Sequence, residues 1–270
     1  MSDGRALARE FLEQQRLLGG NSVILSDGRT AGPADAAASD SRTVGRSDGQ
    51  APSQSHSPTV RPSDSTDLPP SGLSYDPPGG DLFSADPLHQ ASLDAVATLV
   101  AACTKCRLCE GRRHTVPGEG PRDARLVVVG EGPGRVEDET GRPFVGPAGE
   151  LLTKILAAIE LRRDQVFICN VVKCRPPENR VPQYDEIAAC VPYLFRQIDV
   201  LKPQVILAMG GTAAQTLLNT KQSLGALRNQ VHRFRGVPVI VTYHPAALLR
   251  NPNWKKPTWD DVRIARRLLA

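Results

Sequence analysis

Residues 27–87 set the upper limit on what this 270-residue chain can fold into. Of those 61 positions, 11 are Ser, 9 are Pro and 7 are Gly, and the large aliphatic and Phe residues are Val44, Val60, Leu68, Leu73, Leu82 and Phe83. So little apolar surface cannot offset the entropy of ordering the chain. The stretch reads as a disordered linker, which excludes a single 270-residue domain and a protein of two equal halves. A globular part is left over 88–270. Ahead of the linker, residues 1–26 carry a short amphipathic helix over 4–18, with Leu7, Phe11 and Leu18 at helical spacing and Leu12 and Leu17 widening the stripe. That segment, and Asp81-Leu82-Phe83 between Gly and Pro, are candidate docking elements.

Charge divides along the same boundaries. The whole chain is +4, residues 1–26 are neutral, and the linker sets four Arg against nine Asp. Residues 88–270 therefore hold 26 basic side chains against 17 acidic, a net of +9. A basic domain of this size points to a polyanionic partner, nucleic acid first; a GC-rich genome that favours Arg is the blander source of the same charge. All six cysteines lie between 103 and 190. No secretory leader pattern precedes them, and the longest apolar stretch, Leu93 to Cys103, falls far short of the roughly 20 residues a membrane span needs. The expectation is a cytoplasmic protein with no membrane contact, whose clustered cysteines serve metal or redox chemistry rather than disulfides.

From residue 92 the pattern is regular. Ser92 can cap a helix to about Ala102. Continuous apolar runs at Arg125–Glu131, Val166–Lys173, Val205–Met209 and Val237–Tyr243 read as buried strands. Helices are expected over Pro147–Ile159, Tyr184–Leu201, from a Thr212 cap to Leu218, and over Trp259–Leu269. Such alternation predicts an α/β fold, a three-layer α/β/α sandwich around a four-stranded parallel central sheet. In open parallel sheets ligands bind beyond the carboxyl ends of the strands. Gly130–Gly134, Asn170–Lys173 and His244-Pro245 all fall there.

Each of these segments carries chemistry. Gly130-Glu-Gly-Pro-Gly134 is a glycine-rich turn that is neither a Walker loop nor a dinucleotide fingerprint. Beyond it come Glu137, Asp138 and Thr140-Gly-Arg-Pro-Phe-Val-Gly146, in which Phe144 offers a stacking surface or a core side chain. Asn170 presents a donor and an acceptor side by side, matching a pyrimidine edge, or else bonds loop backbone. His244 can hydrogen-bond a leaving-group oxygen. Leu248, Leu249 and Arg250 suit a wedge entering a base stack beside a phosphate contact, or an ordinary helical turn. Cys103-x2-Cys106-x2-Cys109, with Cys174 and Cys190, can supply one four-thiolate site for zinc or an iron–sulfur cluster. Spacing does not choose among the first three thiols, and Cys169, inside an apolar run, reads as a small buried hydrophobe.

Together GEGPG…ED-x-TGRPFVG-x-AG, NVVKCRPPENR and YHPAALLRNP resemble the family 4 (iron–sulfur) uracil-DNA glycosylases, over about 103–269. The resemblance implies an enzyme of DNA base excision repair, a glycosidase that hydrolyses the N-glycosidic bond of uracil in single- or double-stranded DNA and leaves an abasic site. It implies a [4Fe–4S] cluster on Cys103, Cys106, Cys174 and Cys190, with Cys109 and Cys169 outside the set. It maps the uracil pocket to Glu131, Gly132, Glu137, Phe144, Asn170 and His244, with Leu248 or Leu249 filling the vacated stack and Arg250 at the phosphates. Phe144 would stack on the flipped base, Asn170 would read O4 and N3–H, and His244 would stabilise the departing uracil anion. Where the best-known glycosylases carry a water-activating Asp, this chain has Gly132, so Glu137 or Glu131 takes that part. Lys173-Cys-Arg-Pro-Pro177 replaces the Arg/His-rich loop of the covalently trapped relatives, which argues for turnover. A monomer is expected, with a replication or repair partner for residues 1–26 or Asp81–Phe83. Two rival readings remain at this point: a non-catalytic iron–sulfur nucleic-acid-binding module of the same fold, and a zinc-bound nucleotide hydrolase.

Overall fold

The computed structural model describes residues 68–69, 71–76 and 87–270, and the backbone of Val23–Ile24 and Thr30–Ala31. Those two short strands pair antiparallel, Val23 opposite Ala31, in a unit of their own spanning 19–67. The helix expected over 4–18 and Asp81-Leu82-Phe83 lie outside the described residues.

The four apolar runs form the parallel centre of a sheet. Strands β2 (Leu126–Gly130), β3 (Phe167–Asn170) and β4 (Val205–Met209) are buried at every position. They lie with β6 (Val237–Thr242) in the order β6-β4-β2-β3, every neighbouring pair parallel. The sheet is nevertheless mixed and six-stranded, which corrects the expected count of four. Strand β5 (Val231–Phe234) runs antiparallel to β6. Its polar His232 and Arg233 hide it from an apolar-run criterion. Arg235 (φ +49) and Gly236 (φ +76) make the two-residue left-handed turn that such a hairpin requires. Strand β1 (Ser71–Tyr75) lies parallel to β5 at the sheet edge.

That edge strand also corrects the extent of the linker, since Ser71–Tyr75 is ordered against the globular part. A Cβ on Gly72 would sit 2.4 Å from His232 Nδ1, so only glycine lets the strand close on the buried histidine. The Leu73 N–H donates to that nitrogen at 2.8 Å, while His232 Nε2 lies 2.7 Å from the Leu227 carbonyl oxygen. Leu73 and Tyr75 pack on a core that composition within the linker could not reveal.

Side chains alternate between two cores. On one face Val127, Val129, Ile206 and Val241 meet helices α1 (Leu93–Ala101), α5 (Tyr184–Leu201) and α6 (Gly211–Leu218). On the other, Leu126, Val128, Leu207 and Ile240 meet α4 (Pro147–Ala158) and α9 (Lys255–Leu269). Ser92 caps α1 as its sequence position predicts, its hydroxyl accepting from the Ala95 N–H at 3.3 Å. Thr212 does not cap α6. Gly210, at φ +96, takes the cap position two residues earlier and frees the Thr212 hydroxyl for another partner.

Candidate functional site

The carboxyl ends of all four parallel strands open into one cleft of about 760 Å³. Glu131 and Gly132 reach it from β2, Asn170 from β3, Met209 and Gly210 from β4, and Tyr243 and His244 from β6. Each sequence-predicted pocket residue lines it: Glu131, Gly132, Glu137, Phe144, Asn170 and His244.

Glu137 ties two loops together. It sits in the first turn of α3 (Arg135–Thr140), and its carboxylate accepts from the N–H groups of Gly134 (3.1 Å), Val145 (2.9 Å) and Gly146 (2.8 Å). Those bonds hold the loop that presents Phe144, whose φ of +50 is left-handed, a conformation that costs a non-glycine residue of this size on the order of 1–3 kcal/mol. Two further residues, missed in the sequence, maintain it. The Arg163 guanidinium donates to the Phe144 carbonyl at 2.9 Å and also to the Pro143 carbonyl. Gly149 lies so close that a Cβ there would be 1.7 Å from the Phe144 oxygen. The Phe144 ring packs at 5.4 Å against the His244 imidazole.

Asn170 is 1% exposed, and its Oδ1 has no hydrogen-bond partner among the described residues. A Cβ on Gly130 would stand 2.4 Å from that oxygen and 2.5 Å from the Phe144 ring, so Gly130 is what lets amide and ring share a wall. The Asn170 backbone is pinned from behind. Buried Lys173 donates from Nζ to the Asn170 carbonyl (2.8 Å) and to Gln197 Oε1 (2.7 Å), and the Gln197 amide donates to the Pro117 carbonyl (2.7 Å).

His244 precedes α8 (Pro245–Arg250), and its Nδ1 accepts from the Ala246 N–H at 3.2 Å. The ring proton is thereby assigned to Nε2. Burial, and then the Arg250 charge, pull its pKa down to about 4, against a smaller upward pull from Glu137. The imidazole is a neutral N–H donor at physiological pH. Glu131 is held by the Thr212 hydroxyl, which donates to its carboxylate at 2.5 Å.

The wedge residues separate. Leu248 is fully buried in the core, which rules it out as an inserting side chain, because the apolar face of α8 needs it for packing. Leu249 is 51% exposed, with Arg250 exposed beside it.

Cys103, Cys106, Cys109, Cys174 and Cys190 line a second pocket with Arg112, Lys173 and Tyr193. Cys109 therefore joins the other four thiols, while Cys169 is buried in β3. The Arg112 guanidinium donates to Cys174 Sγ and the Lys173 N–H to Cys190 Sγ, both at 3.3 Å. Burial pushes the Cys106 and Cys174 thiols up, and Cys190 up to about 12. Among the described residues, no group of three or more His, Cys, Asp or Glu side chains is placed to hold a single metal ion.

Residues 117–264 match the uracil DNA glycosylase superfamily. The Type-4 uracil-DNA glycosylase of Thermotoga maritima is 49% identical over 178 residues, covering 64% of this chain and 93% of that protein. That of Sulfurisphaera tokodaii is 46% identical over 186 residues, 66% of this chain and 84% of the relative. This chain belongs to the type-4 uracil-DNA glycosylase family. A Type-5 uracil-DNA glycosylase of Pyrobaculum aerophilum is more distant, at 32% identity over 57% of this chain and 75% of its own length. Within this type-4 glycosylase the superfamily match takes in every cleft residue described above together with Cys174 and Cys190, and starts after Cys109. No helix among the described residues is long and apolar enough to cross a membrane.

Proposed function

We propose that this chain flips uracil out of DNA, single- or double-stranded, and hydrolyses its N-glycosidic bond. The observation that carries the reading is the buried Asn170 Oδ1 beside Phe144, unpartnered among the described residues. An orphaned acceptor at such depth costs about 1–3 kcal/mol unless a ligand satisfies it. Uracil N3–H is the fitting donor, while the Asn170 amide donates to O4. Cytosine, with an acceptor at N3 and a donor amine at C4, opposes both groups and is rejected strongly. Phe144 stacks on the extruded base.

Bond cleavage builds negative charge on uracil and positive charge on the sugar. Neutral His244, with its proton on Nε2, donates to the developing anion without having to lose a proton itself. Of the two carboxylates, Glu137 is already bonded to three backbone N–H groups and serves to position the loop. Glu131, oriented by Thr212, is the carboxylate that faces water and the oxocarbenium-like sugar. Exposed Leu249 fills the vacated stack, and Arg250 and the +9 domain meet phosphate.

The thiol pocket fits the chemistry of a [4Fe–4S] cluster: soft thiolate donors from Cys103, Cys106, Cys174 and Cys190, with cations and N–H donors at Cys174 and Cys190 to offset thiolate charge. Bound there, the cluster would fasten the α1 loop to the segment after β3; no chemical step is assigned to it. Cys109 is a fifth thiol in reach. The chain acts as a monomer in the cytoplasm, and residues 1–26 and Asp81–Phe83 are its contacts with repair machinery.

Incubation with a uracil-bearing oligonucleotide followed by alkali tests the reaction. A strand break at uracil, with none in the thymine control, is expected; an intact strand in both refutes hydrolysis.

A further inference from the structure

Past His244 the cleft continues to an aromatic stack that the glycosidic chemistry does not use. Tyr243, adjoining His244, lies face to face with Trp254, ring centroids 4.7 Å apart and planes 7° from parallel. The Arg228 guanidinium covers the Tyr243 ring at 4.5 Å. Arg228 is fixed in turn by the fully buried Asp261 carboxylate (2.7 Å) and the Pro257 carbonyl (2.7 Å). The Trp254 backbone is held too, its N–H donating to the Asn251 carbonyl (3.2 Å) and its carbonyl accepting from the Thr258 hydroxyl (2.8 Å). Despite these restraints Trp254 remains 36% exposed, and it lines the same cleft as His244 and Arg250.

A large aromatic that is rigid, partly open and in a cleft lined by a cation, here Arg250, is what a single-stranded nucleic acid uses as a base platform. The cleft is also roomier than one pyrimidine requires. We infer that Trp254 is a stacking subsite for the nucleobase next to the flipped uracil on the same DNA strand. The subsite rests on the DNA reading above and deepens it. Because every base has a π-face, the platform tolerates any flanking sequence. In a duplex the flanking base is already stacked on its neighbours, so the gain is larger on single strands.

The probe is a single strand carrying one 2′-fluoro-deoxyuridine, whose glycosidic bond resists cleavage, with binding measured by anisotropy. Two companion strands lack the base immediately 5′ or 3′ of the uracil. Trp254→Ala should weaken binding of the intact strand by about 5- to 150-fold, the range for loss of one base–aromatic stack. Trp254→Phe should recover most of it. The penalty of Trp254→Ala should disappear on one of the two base-lacking strands. A penalty that persists on both, or no penalty on the intact strand, overturns the subsite. Failure of the glycosylase reading shows separately, as no uracil released from ordinary substrate by the unsubstituted protein.

Discussion

Lowering the pH should leave the cleft chemistry intact until far below the usual imidazole range if His244 acts as the neutral donor proposed for it. An imidazole in the unfolded chain titrates near 6.5; burial and Arg250 bring the folded value down to about 4. The unfolded chain therefore binds the extra proton first. Stability supplied by this residue is fully present above about pH 6.5 and is lost as pH falls towards 4. The complete difference is worth at most about 3–4 kcal/mol, and less to the extent that the half-buried ring relaxes towards water. Single-turnover release of uracil, followed between pH 8 and pH 4, should be flat down to about pH 5 as far as His244 is concerned. It should fall only near pH 4, where the charged ring turns Nδ1 into a donor facing the Ala246 N–H. An NMR titration of the His244 ring should give the same low midpoint. A rate that declines as pH rises through 6 to 7, matched by a ring titrating there, would mean an imidazolium acid and would refute the neutral-donor assignment.

Gly149→Ala should push the Phe144 carbonyl out of place and destabilise the domain by about 1–3 kcal/mol, or roughly 2–4 °C of melting temperature per kcal/mol, with uracil release falling in parallel; an unchanged melting temperature would contradict the packing. Leu248→Ala should cost about 2–5 kcal/mol of stability, whereas Leu249→Ala should keep the fold and lose more activity on duplex than on single-stranded substrate; equal losses on both substrates would remove Leu249 from the wedge. Cys190→Ala should abolish iron and the broad visible absorbance of the purified protein while Cys169→Ala keeps both; iron retained without Cys190 would count against it as a ligand.

The parallel core could be read from the chain because its four strands announce themselves as unbroken apolar runs, and the position of the cleft followed from where those runs end. Asn170 and His244 stood out as polar residues at strand ends, a place where backbone geometry alone gives them little to do. Strand β5 was not legible, since His232 and Arg233 break its apolar pattern and His232 is satisfied by Leu73 and Leu227, both supplied by other segments. Strand β1 was hidden for the same reason: Gly72 and Leu73 look like linker until their partner is known. Between two adjacent leucines of one motif, only the direction in which α8 packs distinguishes buried Leu248 from exposed Leu249.

Local sequence thus determined which four segments become the central parallel strands and that a cleft opens at their carboxyl ends, and it singled out the thiols that gather in one pocket, since each follows from periodicity, chain direction or residue chemistry. The tertiary structure decided the rest. It gave Glu137 three loop amides and Glu131 a hydroxyl from α6, so that two similar carboxylates take different parts. It left the side-chain oxygen of Asn170 unpaired among the described residues, and it brought Cys109 to the other four thiols. Hydrogen-bond partners, desolvation and steric fit depend on residues far apart in the chain, and they acquire values only when the sheet and its flanking helices are assembled.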